Sequence, residues 1–144
     1  KKLDGSPVGL RGPWGVVRKG AAWTRQGSGI IGPVPDRGQA VVFEADCAWA
    51  PPSEDWPHQT LRIRPPWGGR PVRVKVPAGE QRIRVVLARP ADDRERALAG
   101  TYTLRVDRPY DPSATGLRGY ASDLGVLMRR IIIRIEPGGS SVPN

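Results

Sequence analysis

In four segments of the chain, apolar and polar residues alternate one for one. They cover residues 61–64, 72–76, 82–87 and 101–106, with Val86 the one exception to the alternation. Successive side chains of a strand point to opposite faces. Each segment therefore has an apolar inside and a polar, mostly basic outside, the pattern of a half-buried antiparallel sheet. A period of two suits no helix. The chain of 144 residues also carries 18 Gly and 16 Pro. Inside a helix Pro costs about 3 kcal/mol and Gly about 1 kcal/mol, which excludes a long helical bundle. No segment approaches the roughly 20 apolar residues of a membrane-spanning helix. The expected class is all-β: many short antiparallel strands with turn signals between them make a sandwich or a barrel.

The rest of the chain fits one such domain over residues 21–136. Residues 1–20 predict an irregular lead-in with one short strand at 16–18. Further strands are expected around Trp23, around Ile30 and over residues 40–45, with a loop at 51–57. The sequence Pro77-Ala78-Gly79-Glu80 predicts a hairpin between the second and third alternating segments. Residues 91–99 predict one short helix, near 92–99, capped by Asp92 or Asp93 and ended by Gly100. Residues 137–144 are expected to form a flexible tail.

The last strand is the most specific. Leu124, Val126 and Met128 share one parity, and Ile131, Ile133 and Ile135 share the other. The apolar face flips near Arg129 and Arg130. A one-residue bulge produces such a flip, and so does a strand that leaves one sheet for another.

Chemistry is harder to read. Lys and Arg number 23 against 14 Asp and Glu, a formal charge of +9, and almost all the excess is arginine. Such a chain suits anionic partners. Cys47 and His58 are each the sole residue of their type, too few for a zinc site, and Cys47 reads as a small buried residue. His58 has no neighbouring serine motif, and no phosphate loop is present, so neither catalysis nor a metal or cofactor is expected. The carboxylates of Glu54, Asp55, Asp92 and Asp93 fall in loops with nothing to set them across a cleft.

Two groups remain as candidate ligand contacts. Trp49, Trp56 and Trp67 lie in or beside proline-rich loops, where exposed rings stack on sugars or anchor interfaces. Arg62, Arg64, Arg73, Lys75, Arg82, Arg84 and Arg105 occupy outward strand positions. They act together only if they share a face; a meander would unite them and a jelly roll would divide them. Those outward positions carry no aromatic ring, which counts against nucleic acid.

The order of local signals resembles a known family. Trp23-Thr24 opens a strand, a later strand runs into Arg108-Pro109-Tyr110-Asp111-Pro112, and Asp123-Leu124-Gly125-Val126 leads into Arg129-Arg130-Ile131. Over residues 20–136 this resembles the β-sandwich (jelly-roll-like) modules of bacterial membrane glycosyltransferases and related cell-envelope proteins. The resemblance implies a place outside the cytoplasm, at the membrane or cell surface, and no catalytic residue. The expected function is a non-catalytic extracytoplasmic binding or assembly module recognising glycan, lipid-linked sugar or an anionic envelope polymer. The alternative is a structural or accessory subunit that packs against a membrane-protein partner in a larger assembly.

Overall fold

The computed structural model describes residues 9–18, 20–93, 99–111 and 123–136. They form ten strands: β1 (Gly9–Arg11), β2 (Trp14–Arg18), β3 (Ala21–Arg25), β4 (Ser28–Pro33), β5 (Ala40–Trp49), β6 (His58–Arg64), β7 (Val72–Pro77), β8 (Gly79–Ala88), β9 (Ala99–Val106) and β10 (Leu124–Ile135). Two five-stranded sheets result. Sheet A has the order β1-β4-β9-β6-β7 and sheet B the order β2-β3-β10-β5-β8. Neighbouring strands pair antiparallel throughout. From β3 to β10 the strands wind as an eight-stranded jelly roll, with β1 and β2 added on one side.

The alternating segments do what their period dictates. Leu61 and Ile63 of β6, Val76 of β7 and Tyr102, Leu104 and Val106 of β9 point inward from sheet A. Val41, Phe43, Ala45, Cys47 and Trp49 of β5 meet them from sheet B, and all of these are buried. A fully buried side chain of this kind contributes about 1.5–3 kcal/mol.

The parity flip in β10 is a bulge, and β10 stays in sheet B. The register with β5 shifts between Arg129 and Ile132, and Arg130 takes a left-handed backbone, φ 51°. One extra residue there lets Leu124, Val126 and Met128 on one side, and Ile131 and Ile133 on the other, all reach the core. Ile135, at the strand end, is 39% exposed instead.

Two expectations need correction, and a third falls mostly outside the described residues. Residues 77–80 form no hairpin within a sheet: β7 ends in sheet A and β8 begins in sheet B. Gly79, at φ 95°, turns the chain from one sheet to the other. The described part of the lead-in, residues 9–18 and 20, is largely strand, because β1 pairs with β4 and β2 with β3. Short edge strands borrow their order from a partner, so their own pattern is weak. No helix occurs among the described residues. Residues 91–92 make a turn and residues 94–98 fall outside the described residues, as does the expected tail. Gly100 is a strand residue pressed against Pro66, whose Cβ would lie 2.5 Å from a Cβ placed on the glycine.

The motifs that carried the family resemblance touch one another. The Val126 N–H donates to Thr24 Oγ1 at 3.0 Å. Gly125 leaves room for this, since a Cβ there would collide with Thr24 Oγ1 and with Val106.

Candidate functional site

The three candidate tryptophans have different surroundings. Trp49 ends β5 and is 2% exposed; Trp56 follows it in the 50–57 loop and is 8% exposed. Their rings lie 5.1 Å apart. Tyr110 meets Trp56 edge-on, and the Arg108 guanidinium lies over its ring at 3.9 Å. This stack closes one end of the sandwich and is core.

Trp67 is half-buried. It sits in the loop between β6 and β7, packed against the core with its ring edge-on to Tyr102 at 6.0 Å. It borders a hollow of about 400 Å³ with Arg70, Val72, Leu87, Asp92 and Asp93. Gly68 and Gly69 both have positive φ, and a Cβ on either would meet nothing within 4 Å, so the loop keeps that side of the hollow open. Behind Asp93, Arg89 is buried; it donates from Nε to Asp93 Oδ2 at 2.7 Å and from Nη1 to the Pro35 carbonyl at 2.9 Å. Asp93 is thereby held by the scaffold, while Asp92 is exposed. An aromatic ring, a carboxylate and a guanidinium around one open hollow suit a polar ligand with an apolar face.

Sequence reasoning flagged Trp67 and separately dismissed Asp92 and Asp93. The signal that unites them is topological: in a jelly roll the β6–β7 and β8–β9 loops lie at the same end.

The basic positions divide, as a jelly roll requires. Arg62, Arg64, Arg73, Lys75 and Arg105 lie on the outer side of sheet A, and Arg82 and Arg84 on the outer side of sheet B. On sheet B each arginine faces an acid across the strand pair, Arg84 opposite Glu44 and Arg82 opposite Asp46. Arg82 Nε lies 2.9 Å from Asp46 Oδ1, and Arg134 pairs with Glu44. On sheet A, Arg62 stands directly opposite Arg73 on one side and Arg105 on the other. Asp107 is the acid beside them, with Oδ1 2.9 Å from Arg62 Nε. The Arg62 N–H is not aimed at that oxygen and makes no hydrogen bond, so the contact is an ion pair alone.

A second hollow, of about 340 Å³, lies beside the β10 bulge between Asp46, Arg82 and Arg130. Three of its charges are paired with one another, since Asp46 takes both Arg82 and, at 3.9 Å, Arg130. Cys47 lies beneath it, buried and free.

No family model and no curated protein matches the chain. Among solved structures, one described as "CBM4 structure and function", a carbohydrate-binding module, superposes with a TM-score of 0.50 at 11% identity, over 92% of this chain and 81% of that one. The likeness is one of fold, a β-sandwich.

Proposed function

We propose that this chain is a non-catalytic glycan-binding module working outside the cytoplasm, on cell-envelope or lipid-linked sugars. The observation that carries the reading is the hollow at Trp67. The C–H face of a sugar ring stacks on an aromatic ring, and the sugar hydroxyls hydrogen-bond to Asp92 and Arg70 at the rim. The fold shared with a carbohydrate-binding module supports the same reading at a coarse level. The envelope placement rests on the sequence resemblance. The accessory-subunit reading has less behind it. Among the described residues its apolar contacts would have to come from Val86 and Ile135, the exposed large hydrophobic residues there, and singly exposed apolar side chains are ordinary.

The test follows the indole N–H signals of the five tryptophans by NMR during titration with neutral envelope oligosaccharides. The Trp67 signal should move, and Trp67→Ala should abolish binding with a modest loss of stability. Trp56→Ala serves as the contrast: truncating a buried tryptophan costs about 3–5 kcal/mol. Shifts confined to other indoles, or binding indifferent to Trp67→Ala, would remove the stacking role.

A further inference from the structure

The outer face of sheet A raises a separate question. Like charges directly opposite one another on neighbouring strands destabilise a sheet, and this sheet holds three arginines in one row. Arg105, Arg62 and Arg73 follow each other across β9, β6 and β7. Adjacent strands are about 4.8 Å apart, so the three side chains spring from a line about 10 Å long. Arg64 and Lys75 flank the row. Arg64, Arg73, Lys75 and Arg105 are all exposed, and among the described residues none of these four has an ion-pair partner. Five cations thus stand with the single carboxylate of Asp107. The same fold answers its arginines with acids on sheet B, so the charge on sheet A is not forced by the architecture.

We infer that this face binds a linear, carboxylate-bearing polysaccharide, a polyuronate. The row offers guanidinium groups at the spacing of the strands, and guanidinium forms paired hydrogen bonds to carboxylate. Arg62, Arg64, Pro71, Thr103 and Arg105 enclose a shallow hollow of about 430 Å³ on this face, room for a sugar unit. Thr60, Thr101 and Thr103 set hydroxyls among the charges for the sugar's own hydroxyls. Three features select this occupant over other polyanions. Outward positions of β6, β7 and β9 carry no Trp, Tyr or Phe ring to stack on bases, and the one imidazole, His58, stands at the far end of β6, four residues from Arg62. They carry no large apolar side chain to enter a lipid surface. The row runs in direct register across three neighbouring strands, a linear array suited to a linear polymer. The inference stands on residues separate from those at Trp67 and goes beyond the stacking reading.

The experiment measures binding of the whole chain to polygalacturonate at pH 7 by calorimetry at low and moderate salt. Parallel arms use fully methyl-esterified polygalacturonate, dextran sulfate, duplex DNA and phosphatidylglycerol vesicles. Polygalacturonate binding should weaken as salt rises and vanish on methyl esterification. A triple variant, Arg62→Gln, Arg73→Gln and Arg105→Gln, should weaken it by about tenfold or more. Arg82→Gln with Arg84→Gln, on sheet B, should leave it unchanged. The single variant Arg73→Gln, an exposed site, guards against misfolding of the triple variant and should weaken binding in the same direction. Equal loss with the sheet B pair would mean diffuse net charge and overturn the inference. So would tighter binding to DNA, to vesicles or to dextran sulfate, or no binding to polygalacturonate. The neutral-sugar titration at Trp67 is independent: a chain that binds neutral sugar but not polygalacturonate loses this inference and keeps the other, and the reverse result does the opposite.

Discussion

Cys47 shows how position sets the chemistry of one side chain. It lies on the inward face of β5 and is 1% exposed. Burial first, and the neighbouring Asp46 charge second, push its thiol up to about 12. In an unfolded chain a thiol ionises near pH ~8.5. Above that pH the unfolded chain sheds a proton that the folded one keeps, so stability falls as pH rises from ~8.5 toward the folded value. Burial also raises the Tyr102 phenol, which adds a later fall above pH ~10. Urea melts of the parent should therefore lose stability between pH 8 and 10, and Cys47→Ala should show a flatter profile relative to its own value at pH 7. The thiol should also resist a thiol reagent at pH 8 until denaturant is added. A pH profile unaltered by Cys47→Ala would contradict this. The sequence made the burial of Cys47 legible, because an isolated cysteine within a β-rich run is most simply core. It did not separate the tryptophans. Trp49, Trp56 and Trp67 share a proline-rich setting, and what divides them is tertiary: Arg108 and Tyr110, far along the chain, cover Trp56, whereas Trp67 has a glycine pair beside it.

At the scale of elements, β10 was the most legible and the 77–80 corner the least. The parity of six apolar residues locates the bulge to within a residue of Arg130, because any other register would expose half of them. Alternation says nothing about which sheet a strand joins, so a corner between sheets and a hairpin within one look alike in sequence. The bulge also carries a local cost. A left-handed backbone costs an L-residue with a side chain roughly 1–2 kcal/mol. Glycine escapes that cost but loses about 0.5–1 kcal/mol in chain entropy. Arg130 is 64% exposed and 3.9 Å from Asp46, a contact worth little. Arg130→Gly should thus be as stable as the parent or slightly more so in urea melts. Arg130→Val, branched at Cβ, should be less stable by roughly 1–3 kcal/mol. Deleting Arg130 would turn Ile131 and Ile133 outward, and should leave no cooperative transition. A marked loss in the glycine variant would mean that the Arg130 side chain, and not its backbone, holds the bulge.

Across the whole molecule, the jelly-roll winding explains both the division of the arginines and the expected folding behaviour. Strands adjacent in sequence mostly lie in opposite sheets, and β3 finds β10 about a hundred residues later. Such distant pairings must close large loops before they repay the entropy. Stopped-flow refolding should accordingly run on the ms–s scale of β-sandwiches, in a single phase matched by the unfolding transition; a microsecond phase carrying the full amplitude would contradict the topology. The charge division was open in the sequence because outward parity is known from the pattern while sheet membership is not. The corners have one more consequence. On one side of the sandwich the edge strands β1 and β2 are joined by Gly12 and Pro13, and on the other β7 and β8 by Ala78 alone. Both flanks are hemmed by one or two residues, so a deletion there would strain the join between the sheets, whereas the end loop at 65–71 is longer and exposed at Gly69 and Arg70. The girth of this molecule is fixed and this end of it is editable, so new binding specificities can be grafted there with the seams left untouched.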